Sequence, residues 1–206
     1  MPFLGSSPAR GLVGSADIDD NAVTLAKMAH GTANQNISYD GSGVPVDAAL
    51  SAGKVLQVVQ TVKTDTTSTT SASFTDITGM AVAITPAATS SKILVVASLN
   101  FGNNGTASHS HCRLMRDSTA ISIGDSDSSN RVEGSVMMWA TNNSTQAHRS
   151  IVFLDSPSST SEISYHLEYQ TQNGSYAVFL NRSYADGDDV GQGRNASSIT
   201  AMEIGA

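Results

Sequence analysis

His109 and His111 flank Ser110 in the tripeptide of this 206-residue chain that comes nearest to metal chemistry. Alternate residues of a strand share a face, so the two imidazoles are spaced to bind one ion. Repeated around a threefold axis, such a pair would offer six nitrogens and an octahedral site, which zinc with its tetrahedral habit does not prefer. The plainer reading is two half-exposed strand histidines. No cofactor is expected, and His109 and His111 are the candidate metal ligands. Asp125 and Asp127, and Asp186, Asp188 and Asp189, gather carboxylates that suit calcium. The second group lacks both a further alternate carboxylate and a closing Glu, so solvated acidic loops that hydrogen-bond sugars are the better expectation.

The sequence holds no Gly-x-Ser-x-Gly elbow, no His-Glu-x-x-His, no phosphate loop and no dinucleotide glycine motif. With 18 acidic residues, a carboxylate pair for glycosidic cleavage is always available and none is selected. The chain is therefore expected not to be an enzyme. Its net charge is −7, and no basic run interleaves with aromatics, which argues against a nucleic-acid partner. No apolar stretch is long enough to span a bilayer, so membrane insertion is not expected. The N-terminus lacks the charged and long apolar regions of a signal peptide. Cys112 is the single cysteine, which excludes an intrachain disulfide; its alternating apolar surroundings predict a buried thiol rather than a nucleophile.

Charged residues make up 14% of the chain and aromatics 5%. Polarity resides in Ser, Thr, Asn and Gly, a composition that favours strands and turns. The strongest apolar run is 92–101. Ile93, Val95, Ala97, Leu99 and Phe101 share one face, while the other passes from Leu94 and Val96 to Ser98 and Asn100. Strands are predicted at 55–63, 73–77, 80–85, 93–101, 109–116, 120–123, 132–141, 149–154, 162–171, 176–181 and 198–204. Asn104-Gly105 and Asn173-Gly174 are hairpin-turn signals, with Asp117-Ser118 a third. Residues 64–70 read as an exposed edge or a loop. Met137 and Trp139 share a face opposite Val136 and Met138, which predicts core packing for Trp139 in preference to a sugar-stacking platform. The expected fold is mainly β, an antiparallel jelly-roll-like sandwich.

Residues before 54 differ. Residues 1–16 have no period and predict a flexible segment that orders on docking. Residues 17–29 suit a short helix capped by Asp19 or Asp20, with Ile18, Leu25 and Met28 on one stripe. Such a helix is too short to stand alone and makes best sense packed against copies of itself. Residues 34–39 predict a strand, 40–43 a turn and 46–50 a helical turn.

The order Asp17-Ile18-x-Asp20-Asn21-Ala22-Val23-Thr24, Lys27, Gly31-Thr32 and Asp40-Gly41-x-Gly43-x-Pro45 resembles the stem module of bacteriophage tail-fibre proteins. Residues 54–60, Phe74 to Met80, Ile84 to Pro86, Ser91 to Val95, Phe153 to Pro157, Tyr165 and Asn181 to Ser183 resemble a β domain that follows such stems. This resemblance implies a homotrimer with a docking segment at 1–16, a stem at 17–53 and a β-sandwich head at 54–206. It implies a virion location in the tail, where a tail or baseplate protein would hold the N-terminus and the head would touch a host surface glycan or protein. His-x-His pairs bind metal on the axis of some such fibres, though in narrow stems rather than in a sandwich. The receptor loops expected are 103–108, 124–130 and 186–195, with Asn103, Asn104, Asp125, Asp127, Asp186, Asp188 and Asp189 as their polar residues. The alternatives are a decoration or collar fibre without a receptor role, and a glycan-cleaving tailspike-like enzyme.

Overall fold

The computed structural model describes the backbone of residues 35–39 and 45–49, and residues 53–104, 109–125, 130–139 and 142–205 in full. Contacts divide the chain into Met1–Leu50 and Ser51–Ala206. In the first unit β1 (Gln35–Tyr39) and β2 (Pro45–Ala49) pair antiparallel, Gln35 opposite Ala49 and Tyr39 opposite Pro45. The strand expected at 34–39 is present. The helical turn expected at 46–50 is a strand instead: its local preference is weak, and a cross-strand partner outweighs it. The predicted helix at 17–29, with Ile18, Leu25 and Met28, lies outside the described residues. Among those described there is no helix.

The second unit is built from β3 (Val55–Lys63), β4 (Thr67–Thr69), β5 (Thr75–Ile84), β6 (Lys92–Asn103), β7 (Ser110–Arg116), β8 (Thr119–Ile121), β9 (Val136–Met138), β10 (Ala147–Asp155), β11 (Ile163–Thr171), β12 (Val178–Leu180) and β13 (Ser197–Ile204). Three pairs of these each share one strand position. β12 and β13 both run antiparallel along one side of β6, with β4 and β3 beyond them, and β10 takes the other side. In the second sheet β8 and β9 both lie along one side of β7, with β11 and then β5 on the other.

Counted as positions, the chain makes eight strands: β3 with β4, β5, β6, β7, β8 with β9, β10, β11, and β12 with β13. Their spatial orders are 1-8-3-6 in one sheet and 2-7-4-5 in the other. Two interlocked Greek keys of eight strands are the jelly-roll arrangement, so the expected sandwich class holds.

The core lies between the sheets. Ile93, Val95, Ala97, Leu99 and Phe101 from β6 meet Leu114, Tyr165, Leu167 and Met80 from the facing sheet. Burying each large side chain contributes about 1.5–3 kcal/mol. Three local expectations change. Residues 73–77 and 80–85 form one strand, β5, interrupted by a bulge: Asp76 is opposite Glu168 and Ala81 opposite His166, and Gly79 takes a φ of 82° within it. Asn104-Gly105 and Asn173-Gly174 do not close hairpins, because the strands on either side of each lie in different sheets. Asp117-Ser118 does close one, Arg116 opposite Thr119, with Asp117 at a φ of 50°.

Candidate functional site

The ladder registers gather four connections at one end of the sandwich. Ala147 pairs with Phe101, Asn103 with Val178, and Val178 with Thr69; Ser110 pairs with both Thr171 and Met138. The described residues of these connections, 70–74, 104 and 109, 139 and 142–146, and 172–177, therefore emerge together. The chain enters at the opposite end, where Val55 and Lys92 both lie opposite Ile204 and the Gly53 N–H donates to the Gly205 carbonyl at 2.8 Å.

Two excursions add to the loop end. Residues 181–196 leave the strand position shared by β12 and β13, and Gly102 lets them pass: a Cβ there would run into the Arg182 carbonyl and come within 2.9 Å of the Ser183 Cα. The Ala185 N–H donates to the Asn143 carbonyl at 3.0 Å, which holds this excursion against the connection at 139–146. The chain also leaves the sheet at Ser122, after β8, and returns at Ser135, before β9. Ser135 closes the base of this excursion: its N–H donates to the Cys112 carbonyl at 2.9 Å and its hydroxyl accepts from the Leu114 N–H at 3.0 Å.

His109, His111, Asn130, Arg131, Val132, Met137 and Gln172 line an open cleft of about 500 Å³ at this end. His109 precedes β7 rather than opening it, and its Nδ1 lies 3.2 Å from Gln172 Oε1. The Trp139 ring centroid is 6.0 Å from that of His109, tilted by 38°. Burial pushes the His111 pKa down, and the neighbouring His109 adds to the effect, so both favour its neutral form.

The strand expected at 132–141 shrinks to β9, and Trp139 is not in the core. Met138 is buried, whereas Met137 and Trp139 are 47% and 45% exposed. The alternation was legible; the identity of the solvent face was not, since nothing local says that no third layer covers it. Gln172 and Arg131 had no local signal either, because separate connections bring them to the cleft.

His109 and His111 do face one cleft. The described residues give them no third ligand; the one cluster of three metal-capable side chains among those residues is Asp76, His166 and Glu168, set by the β5 bulge. There Arg113 Nε already donates to Glu168 at 2.6 Å, so the guanidinium balances that charge.

The expected receptor residues separate by role. Asn103 is buried in β6 and cannot face a receptor. Asn104 is structural too: its N–H donates to the Ala177 carbonyl at 3.2 Å and its side-chain oxygen accepts from the Ala177 N–H. Asp125 is exposed, and Asp127 lies outside the described residues. Asp186 pins its own loop, accepting from Arg194 Nε at 3.0 Å and Nη2 at 2.7 Å. The hydrogen bond from Arg194 holds the Asp186 pKa below the ordinary carboxylate range. Asp188 and Asp189, with Gln192, line a polar cleft of about 310 Å³. Arg194 borders it as well, so the positive charge a calcium ion would supply is already present.

No family model matches the chain, and no curated protein does. Among solved structures it is similar in part to that of the infectious bursal disease virus Gx strain, with a TM-score of 0.41 and 14% identity over 83% of this chain and 41% of that one. The infectious bursal disease virus VP2 subviral particle gives a TM-score of 0.36 and 10% identity, over 82% and 43% of the two chains. The Gt strain of that virus gives 0.31 and 12%, over 82% and 42%. The chain spans about two fifths of the length of these proteins.

Proposed function

We propose that this chain is a virion structural protein, a short homotrimeric tail fibre whose jelly-roll head attaches to a host surface glycan. One observation carries the reading. The loop clefts lie at the end of the sandwich opposite the point where the preceding 52 residues join it. That is the polarity a fibre tip needs, with the stem at one end and contact loops at the other.

The cleft chemistry fits a sugar. Trp139 and Met137 give an exposed apolar platform, and His109, Gln172, Asn130 and Arg131 surround the cleft with polar groups. An aromatic ring beside hydrogen-bonding side chains suits a pyranose, which has an apolar face and a polar edge. Contacts of this kind are individually weak, and three copies on one stem would multiply them.

The test joins a light-scattering mass of the full chain to binding on an array of immobilised bacterial surface glycans. The expected result is three times the chain mass and binding to a subset of glycans that Trp139→Ala removes. A threefold mass without binding would favour a decoration or collar fibre. A monomer would end the fibre reading.

A further inference from the structure

The outer face of the sheet containing β6 carries one row that is apolar across the sheet's full width. Val58 lies opposite Met202, Met202 opposite Leu94, and Leu94 opposite Leu154, so this row crosses all four strand positions without a polar residue. The next row runs Gln60, Thr200, Val96 and Val152, polar toward β3 and apolar toward β10. Leu56 continues the patch along β3, and Val62 stands beyond Gln60 in a row it shares with Ser198, Ser98 and Ser150. The edges are open to solvent: Val58 is 55% exposed, Val152 64% and Leu154 48%. No Asp, Glu, Lys or Arg stands in these rows, and Lys92, opposite Ile204, is the charged residue at their margin. The outer face of the other sheet is the reverse, with Arg113, Glu168, His166 and Asp76 on it.

We infer that this face is where the heads of neighbouring copies of this chain pack against one another; the inference rests on the homotrimer reading above and assigns its surface. Three arguments favour a second copy. Each chain carries a net charge of −7, so identical chains repel, and an uncharged face is the approach that brings no like charges together. The size also fits. Four strand positions at about 4.8 Å and six residue steps along β3 at about 3.4 Å span on the order of 400 Å², of which Gln60, Thr200, Ser198, Ser98 and Ser150 are the polar but uncharged part. The apolar remainder is at the lower end of the largest patches on typical monomers. The whole area is about half of what each partner buries in a stable pair, which suits a contact assisted by another along the same three chains. Finally, the most exposed residues sit on the two edge strands, β3 and β10. Around a threefold axis the β3 edge of one head meets the β10 edge of the next, and the half-buried Leu94, Val96 and Met202 turn toward the axis.

A cross-link reads this contact directly. Val58 and Leu154 lie in one row, three strand spacings apart, about 14 Å. That exceeds the roughly 7 Å limit for a disulfide, so a chain carrying Val58→Cys and Leu154→Cys cannot link to itself. Cys112 does not compete, because it is fully buried and burial pushes its thiol pKa far up. The full-length double variant is oxidised and run on a denaturing gel without reductant, beside both single variants, an Ala83→Cys control on the outer face of the other sheet, and a light-scattering mass of the unmodified chain. The expected result is a trimeric mass, with most of the double variant in covalent species of up to three chains and none from the control. A trimeric mass without cross-links leaves the fibre reading standing and overturns this face. A dimeric mass with cross-links supports the face and overturns the threefold reading. A monomeric mass without cross-links, as when the chain's own residues 1–52 cover the patch, overturns both.

Discussion

The Ser197 hydroxyl donates a 2.6 Å hydrogen bond to the Asn181 side-chain oxygen, closing an excursion whose ends lie 16 residues apart. The Asn181 amide completes the closure by donating to the carbonyls of Lys63 at 2.8 Å and Asp65 at 2.9 Å, where β3 gives way to β4. One buried side chain thus bridges the breaks in two adjacent strand positions. Its φ of 67° falls in the left-handed region, which Asn tolerates better than most residues.

Asn181→Ala should therefore cost about 2–4 kcal/mol, since it strands buried partners and places a less tolerant residue at positive φ. Urea unfolding of the purified protein measures this. Ser197→Ala, which removes the bond to Asn181 and the one the hydroxyl accepts from the Asn100 N–H at 3.1 Å but leaves the Asn181 amide bonds and backbone in place, should cost less. Equal losses would mean that the Asn181 amide bonds contribute little.

Glu203 is fully buried on β13, its carboxylate accepting from Gln57 Nε2 at 2.6 Å and the Ala87 N–H at 2.7 Å. Burial alone would push its pKa up; the neighbouring Ser91 hydroxyl and the hydrogen bonds from Gln57 and the Ala87 N–H outweigh it, and the net shift is down. A carboxyl depressed in the folded state gives stability that is full above its ordinary value of 4.5 and is lost as pH falls through the folded value. Glu203→Gln should flatten the acid limb of the stability curve and lower stability at pH 7 by about 1–3 kcal/mol, because an amide turns a donor toward Gln57. Thermal unfolding of both proteins between pH 3 and pH 7 tests the sign.

The parts legible in the sequence were those written in strict alternation. β6, β11 and β13 each carry their buried face at every second residue, and the Asp117-Ser118 turn joins strands that do pair. Sheet partnership was not legible. Asn104-Gly105 and Asn173-Gly174 have hairpin chemistry, but a turn records a change of chain direction and not which sheet the next strand joins. Loops were expected at 124–130 and 186–195, but that each leaves a strand position that resumes beyond it was not legible, since Ser135 closes one base and Asn181 with Ser197 the other. Trp139 was misplaced because alternation fixes which residues share a face and leaves open which face meets water.

Tyr165 donates a 2.6 Å hydrogen bond to Asp155, which also accepts from Arg116 at 2.8 and 3.0 Å. Burial, then the hydrogen bond to Asp155, pushes the phenol pKa well above its ordinary value of 10.0. A group whose pKa is raised by folding gives stability that is complete below its ordinary value and is lost as pH rises toward the folded value. The protein should lose stability above about pH 10 more steeply than Tyr165→Phe does. At pH 7 the substitution should cost about 1–2 kcal/mol, since Asp155 keeps Arg116. Urea midpoints from pH 7 to pH 11 separate the two effects, and parallel curves would show that Tyr165 is not the alkaline group.

Arg194 reaches across its loop to Asp186 with two hydrogen bonds, and the Gly191 N–H donates to Asp189 at 2.7 Å within the same turn. Both side chains of the pair border the polar cleft, so the pair is exposed and contributes little to global folding. Its effect is local: it fixes the loop in one conformation before any partner arrives, and a preformed loop spends less conformational entropy on binding. Arg194→Ala should leave the unfolding midpoint unchanged while amide exchange speeds up across 186–194, with β12 and β13 as protected as before. Arg194→Lys should recover only part of the protection, since an ammonium group cannot match the two-pronged geometry. Unchanged exchange in the Ala variant would mean that Arg182, 3.7 Å from Asp186, and the Gln192 side chain, which accepts from the Gly187 N–H, hold the loop without Arg194. On the attachment reading the Ala variant binds the same glycans more weakly, because the loop must then be ordered on binding, and Trp139→Ala acts independently of it.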